Sequence, residues 1–215
     1  MPAVTFWFDF ASTYSWLSAM RLEEEAEARG VETVWKPFLL GPIFKRQGWD
    51  SSPFVLQPAK GRYMVRDVER LAAARGLAFV GGEALIAGGF PRMSLHAARL
   101  AIAGLETTEE GRALTKAIFA AEFGEGRDIG DKAVLTEIVS EAGAPDRLLT
   151  EMASEDVRTR LRTNTEDAMS RGRFGAPSFV VEEELFWGDD RLEAALDWAA
   201  RTGDLGTDDR EEEAA

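Results

Sequence analysis

The apolar and polar positions near the start of this chain predict a buried strand that leads directly into a helix. Val4 to Phe10 is an apolar run rich in strand-forming residues, and only Asp9 interrupts it. Ser12 then stands where a helix N-cap belongs, and apolar residues recur at helical spacing from Tyr14 to Leu22. A hydroxyl group is therefore expected at the junction of the two elements.

The pattern continues into a second strand and a long loop. The helix that begins at Ser12 extends to Arg29, and Val31 to Phe38 alternates as a strand does, which gives a β-α-β unit. Residues 39–60 are rich in Gly and Pro but also carry large apolar side chains. A loop of this kind is expected to pack over something, as a lid or binding loop does.

The rest of the chain is helical until its last quarter. From Lys60 to about Arg171 the apolar spacing is that of helices without intervening strands. Strand character returns at Ser178–Val181 and Leu185–Trp187, joined by a hairpin turn, and an amphipathic helix follows from Leu192. This order predicts an α/β protein with a thioredoxin-like fold and a large all-helical insertion.

The predicted domain organisation follows from this order of elements. We expect a thioredoxin-like domain over 1–40 and 172–203, a loop with a helical insertion subdomain over 41–171, and an acidic disordered tail over 204–215.

Composition excludes several classes of function. The net charge of -13 argues against binding to nucleic acid, which requires clustered Lys and Arg. The sequence shows neither a secretory signal nor an apolar stretch near the roughly 20 residues that span a bilayer, so we expect a cytoplasmic protein with no membrane partner. With no cysteine, the chain has no thiol nucleophile, disulfide or redox dithiol of its own.

Two residues raise the question of chemistry. A strand that leads into a helix directs the free helix N–H groups towards one place, so the start of the helix at Ser12 suits an anion or a thiolate. The plainer interpretation is that Ser12 only caps the helix. The single histidine, His96, excludes a multi-histidine metal site, and no metal is expected; within an apolar helix it is interpreted as a partly buried, hydrogen-bonded structural residue.

Several separated motifs resemble one family. Phe8-Asp-Phe-Ala-Ser-Thr-Tyr-Ser15, Phe174-Gly-Ala-Pro-Ser-Phe-Val-Val181 and Phe186-Trp-Gly-Asp-Asp-Arg-Leu192 resemble 2-hydroxychromene-2-carboxylate isomerases. These isomerases belong to the thioredoxin-fold group that also holds kappa-class glutathione transferases and DsbA-like oxidoreductases. The resemblance implies a glutathione-dependent isomerase in aromatic degradation, with glutathione as a cofactor and an aromatic carboxylate as the small-molecule substrate.

The resemblance also implies roles for individual residues. Ser12 occupies a cysteine position of the DsbA-like relatives, so it would be the catalytic residue that donates to the sulfur of glutathione. Met93 and Asp189 depart from the resembling sequences, which often have Asn at both positions, and Thr13 replaces a frequent Pro. The implied glutathione-binding residues are Ser12, Trp49, Asp50, Lys60, Ala176, Pro177, Asp189, Asp190 and Arg191, and the implied substrate pocket contains Tyr14, Phe44, Tyr63 and Met93.

Two other functions remain open at this point. One is a kappa-like glutathione transferase or peroxidase that acts on another electrophile, and the other is a non-catalytic thioredoxin-fold binding module. Relatives in this group are often dimers, so a homodimer is expected.

Overall fold

A computed structural model describes the backbone of residues 2–105 and 109–212 and the side chains of residues 2–105 and 110–202. Its centre is a four-stranded mixed sheet in the order β2-β1-β3-β4. The strands are β1 (Ala3–Phe8), β2 (Glu32–Pro37), β3 (Ser178–Val181) and β4 (Glu184–Trp187). β1 runs parallel to β2 and antiparallel to β3, and β3 forms an antiparallel hairpin with β4. The four predicted strands and the thioredoxin-like α/β fold are confirmed.

The crossover between β1 and β2 contains two helices where the sequence predicts one. α1 (Thr13–Ala19) begins after the Ser12 N-cap, and α2 (Leu22–Glu27) follows after a break. Arg21 has φ -124° and ψ -12°, which is not a helical conformation. At this break the Arg21 guanidinium donates to the carbonyl oxygen of Asp189 at 2.7 Å, a contact that no local pattern reveals.

Helices α3 to α11 occupy residues 40–170, between β2 and β3. Residues 39–60, predicted as a loop, are largely helical, which corrects that prediction. Ser52 caps α4 through the backbone N–H of Phe54, and Pro53 and Pro58 stand in first turns, where proline removes no helical hydrogen bond. The helices are α3 (Leu40–Arg46), α4 (Pro53–Leu56), α5 (Pro58–Ala74), α6 (Gly82–Ala87), α7 (Leu95–Leu105), α8 (Glu109–Phe119), α9 (Lys132–Glu141), α10 (Arg147–Glu151) and α11 (Glu155–Ser170).

The sheet and the inserted helices share one aromatic core. The Phe6 ring stacks on Phe179 of β3 at a centroid distance of 5.4 Å. Phe10, just after β1, contacts Phe119 of α8 at 4.5 Å, and Trp16 of α1 lies 5.6 Å from Phe123. All six of these aromatic side chains are at most 1% exposed. The insertion therefore packs against the end of β1 and the start of α1, where the candidate site lies.

The chain ends in a long helix. A 3-10 turn (Asp189–Arg191) leads into α12 (Leu192–Glu212). The backbone of residues 204–212 is thus helical where the sequence predicts a disordered tail; no proline interrupts the segment, so the helix can continue through it. The last three residues of that predicted tail, 213–215, lie outside the described residues. Among the described residues, no helix is both long and apolar enough to cross a membrane.

Candidate functional site

A cleft of about 1500 Å³ opens at the carboxyl end of β1. Its walls are the start of α1, helices α3 to α5, residues 90–95, and the two loops that precede β3 and follow β4. A space of this size exceeds the 300–1,000 Å³ of a typical small-molecule site, so it has room for two ligands side by side. The predicted site residues that line it are Ser12, Tyr14, Phe44, Trp49, Asp50, Lys60, Tyr63, Met93, Ala176, Pro177, Asp189 and Asp190.

Ser12 is confirmed as the N-cap of α1 and makes a second bond across the cleft floor. Its Oγ accepts from the backbone N–H of Ser15 at 3.1 Å, as an N-cap does. Its hydroxyl donates to the carbonyl oxygen of Ala176 at 2.9 Å. The residue is 8% exposed, so it borders the cleft with both of these bonds formed. A ligand that takes the Ser12 proton must replace Ala176 as its acceptor.

The peptide bond between Ala176 and Pro177 is cis, and it lies directly beside Ser12. The Pro177 carbonyl accepts from the Gly188 N–H at 3.0 Å, which fixes the distance between the two loops of this wall. Gly188 has φ +113°, and a Cβ there would lie 2.6 Å from Asp190 Oδ1. Glycine is therefore required at this turn.

Asp189 is held by the protein itself. Its carboxylate, 4% exposed, accepts from Arg75 Nη2 at 2.6 Å and Nη1 at 3.1 Å, and from the Ser18 hydroxyl at 2.9 Å. Arg21 donates to its carbonyl oxygen. These bonds occupy the oxygens that the resemblance assigns to the ammonium group of glutathione. Asp189 instead fixes the turn that begins the last helix.

Asp190 and Arg191 differ from Asp189 in exposure. The side chain of Asp190 is 73% exposed, lines the cleft, and pairs with Arg191 at 3.2 Å. Arg191 does not line the cleft, and its side chain is 57% exposed. Of the three predicted residues in this turn, only Asp190 offers a carboxylate to a ligand.

Two cations that line the cleft have no carboxylate partner among the residues whose side chains are described. Lys60, at the start of α5, and Lys45, near the end of α3, both line the cleft, and neither forms an ion pair there. Asp50 also lines the cleft. Unpaired ammonium groups beside a cleft attract anionic ligands.

Aromatic side chains also line the cleft. Phe44 and Trp49 lie 5.7 Å apart, and Tyr63 and Met93 are 61% and 65% exposed. The Tyr14 hydroxyl donates to Asp67 at 2.9 Å, and burial together with that carboxylate raises the pKa of Tyr14. Tyr14 thus lines the pocket with its proton already donated. The exposed Tyr63 ring also lines the pocket, with the Arg70 guanidinium 6.0 Å from its centroid.

Three groups near the cleft have no role assigned from the sequence. Asp9 is 2% exposed and accepts from the backbone N–H groups of Ala11 at 3.0 Å and Leu40 at 2.7 Å; burial raises its pKa. It therefore joins the start of α1 to the start of α3. The other two groups are Arg75, described above, and the hydroxyl of Thr13. Asp9 in an apolar strand was the only signal for any of them.

A buried carboxyl group lies behind the cleft wall. Glu122, in a π-helical turn (Ala120–Gly124) after α8, is 1% exposed, and burial raises its pKa to about 7. Arg92, which lines the cleft, contacts it at 3.3 Å and donates to the carbonyl oxygens of Gly126 and Arg127. The pair joins the 90–95 wall to the π-helical turn.

His96 lies outside the cleft lining and is partly buried. Burial and the charges of Lys132 and Arg99 lower its pKa. Its Nδ1 has no hydrogen-bond partner among the described residues, which differs from the hydrogen-bonded histidine that the sequence suggested.

Comparisons with known proteins agree with the fold. The chain is 27% identical over 192 residues to a 2-hydroxychromene-2-carboxylate isomerase of Sphingobium xenophagum, covering 88% of this chain and 94% of that protein. It is 26% identical over 199 residues to glutathione S-transferase kappa 1 of Homo sapiens, covering 88% and 87%. A solved structure of a 2-hydroxychromene-2-carboxylate isomerase superposes with a TM-score of 0.75 at 21% identity, over 96% of this chain and 98% of the other. The DSBA-like thioredoxin domain matches residues 3–197, and the chain therefore belongs to that family.

Proposed function

We propose that this protein is a glutathione-dependent isomerase that interconverts 2-hydroxychromene-2-carboxylate and trans-o-hydroxybenzylidenepyruvate. One observation carries the proposal: Ser12 and the cis Ala176–Pro177 loop meet at the floor of a cleft that both aromatic and cationic side chains line. The names of the relatives from Sphingobium xenophagum and Homo sapiens support a glutathione-linked enzyme.

The residues at the cleft floor fit glutathione. The chain has no cysteine, so a thiol at this site must come from a ligand. The backbone at Ala176 can pair with an extended peptide, as an added strand does. Asp190 offers a carboxylate to the γ-glutamyl ammonium, and Lys60 offers an ammonium to a glutathione carboxylate.

Bound glutathione would supply a thiolate that adds reversibly to the unsaturated ring of the substrate, which allows ring opening, bond rotation and release of the thiol. The part of the protein is to favour that thiolate and to hold the substrate. Ser12 and the first N–H groups of α1 stabilise negative charge on the sulfur. Aromatic packing against the ring of the substrate comes from Phe44, Trp49 and Tyr63. Lys45 or Lys60 neutralises the carboxylate of the substrate.

A kappa-like transferase is the second candidate. The relative from Homo sapiens favours it, as does Met93, an exposed apolar side chain on the wall where a polar group would orient the chromene. Such an enzyme would bind the same cofactor and transfer it to a different electrophile.

The two candidates differ in whether glutathione is consumed. The test is to incubate the protein with 2-hydroxychromene-2-carboxylate and catalytic glutathione, and to follow product absorbance and free thiol together. Isomerase activity requires many turnovers with the thiol concentration unchanged. Loss of thiol in step with an electrophile would support the transferase, and no turnover of either kind would contradict both enzymes.

Calorimetric titration with glutathione tests the shared premise. Absence of both heat and a thermal shift at millimolar glutathione would contradict both enzymatic functions and leave a binding module. A homodimer and a cytoplasmic location stay predictions, and sedimentation of the purified protein and fractionation of cells test them.

A further inference from the structure

Thr13 carries a second hydroxyl group beside Ser12, and the described protein makes no use of it. Thr13 is the first residue of α1, lines the same cleft, and is 1% exposed. Its Oγ1 is buried and has no hydrogen-bond partner among the described residues. Buried hydroxyl groups are nearly always bonded, so an unbonded one in a cleft wall requires an explanation. A ligand in the cleft would supply the missing partner.

The two hydroxyl groups differ in what a bond to a ligand costs. A serine or threonine hydroxyl has one proton to donate, and Ser12 donates its proton to Ala176. Ser12 must break that bond before it can donate to a ligand. Thr13 has no such bond, so its hydroxyl can donate to a ligand in the cleft without first breaking a hydrogen bond.

We infer that Thr13 is a catalytic residue of this protein, whose hydroxyl donates a hydrogen bond to the sulfur of the bound glutathione thiolate. This inference rests on the proposed glutathione-dependent function. No covalent bond to the protein forms: the thiol releases its proton to solvent, and Thr13 keeps its own. Thr13 then acts on the sulfur in addition to Ser12, whose own donation to the sulfur requires release of Ala176.

The chain offers a closely matched control. Ser15, one turn along the same helix, also has a fully buried Oγ without a partner, but it does not line the cleft. Removing either hydroxyl leaves no polar group newly unpaired, so Thr13→Val and Ser15→Ala should both fold. Thr13→Ser restores the donor with one methyl group less.

The experiment measures the pKa of the glutathione thiol when bound, from the ultraviolet absorbance of the thiolate across pH, together with the affinity for S-methylglutathione. We expect Thr13→Val to raise that thiol pKa by about one unit, the effect of one hydrogen bond to a charged group. Thr13→Ser and Ser15→Ala should keep the wild-type value, and the affinity for S-methylglutathione should stay within about twofold in all three.

The outcomes separate this inference from the function it rests on. An unchanged thiol pKa in Thr13→Val would overturn the inference, and so would equal weakening of glutathione and its S-methyl analogue, since that result indicates packing. Either result leaves the proposed function intact, provided that the wild type binds glutathione and lowers its thiol pKa. Failure of the wild type to bind glutathione would instead remove the proposed function.

Discussion

The Ser12 hydroxyl and the Ala176 carbonyl oxygen are 2.9 Å apart although 164 residues separate them in the chain. The bond joins the helix start that favours negative charge to the loop that can pair with a peptide. Because Ser12 also caps α1, its hydroxyl contacts the backbone of both elements at once.

Replacing Ser12 by alanine should affect both roles. The variant loses the cap bond to Ser15 and the bond to Ala176, so the free energy of unfolding should fall by about 1–2 kcal/mol in urea denaturation. The pKa of the bound glutathione thiol should rise, while the affinity for S-methylglutathione should change little. Equal loss of affinity for the two ligands would contradict a role towards sulfur.

Ser154→Ala is the control for the loss of a cap. Ser154 accepts from the N–H of Val157 at 3.2 Å at the start of α11 and does not line the cleft. It should lower stability by about 1 kcal/mol and leave the thiol pKa unchanged.

Asp189→Asn should lower stability more than it lowers glutathione affinity. The substitution removes the charge that Arg75 and Arg21 contact, and breaking a buried ion pair costs about 3 kcal/mol. Thermal and urea unfolding measure the change. If the variant unfolds like the wild type but no longer binds glutathione, Asp189 is a ligand residue after all.

Asp190→Asn should show the opposite pattern. Its side chain is 73% exposed, so loss of its pair with Arg191 should change stability by less than about 0.5 kcal/mol. Loss of a charged hydrogen-bond partner should weaken glutathione binding about tenfold by calorimetry. An unchanged dissociation constant would exclude Asp190 from the γ-glutamyl site.

Glu122 should make stability depend on pH near neutrality. Burial raises its pKa from 4.5 to about 7 in the folded protein, so the folded state binds more protons than the unfolded state between those values. The stability that protonated Glu122 contributes is fully present below about pH 4.5. As the pH rises towards 7, the free energy of unfolding falls by about 3 kcal/mol. In urea denaturation, the stability of Glu122→Gln relative to the wild type should therefore increase with pH over this window.

Glu137→Gln provides the comparison for that measurement. Glu137 is 63% exposed and pairs with Arg127 at 2.9 Å. Its stability relative to the wild type should be nearly flat over the same pH range. A flat result for Glu122→Gln as well would mean that Glu122 ionises in the folded state like an exposed residue.

Lys60→Met should weaken glutathione binding, and the loss should shrink at high salt. The unpaired ammonium attracts anions through a field that added salt screens. We expect a loss of about fivefold near 50 mM salt that becomes small near 500 mM. Lys132 lies away from the cleft lining, so Lys132→Met should bind glutathione as the wild type does at both salt concentrations. A loss of affinity in Lys60→Met that does not depend on salt would indicate that the lysine stem acts by packing instead.

The sequence was sufficient where local patterns decide the structure. The apolar run after Ala3, the cap at Ser12 and the turn before Glu184 each depend on neighbours within a few residues. Predictions from these patterns hold in the structure, and the sheet follows from them.

Predictions failed where a distant residue decides the structure. The helix breaks at Arg21, which bonds to Asp189, and the closed environment of Asp189 consists of bonds between residues 114 to 171 positions apart. No periodicity encodes such pairs, and resemblance to a family does not supply Arg75. The free hydroxyl of Thr13 is a further case, because only coordinates show which polar groups lack a partner.

The sheet order has a consequence for how the chain is made. β1 lies inside the sheet, and its inner edge pairs with β3 through Thr5 and Val180. During synthesis that edge has no native partner until residue 180 has left the ribosome, long after β1 and β2 have emerged. Pairing over such a sequence distance slows folding and leaves an apolar strand open to association. We therefore expect refolding of the full chain to be slow compared with local helix formation, and nascent chains that end before β3 to be prone to aggregation.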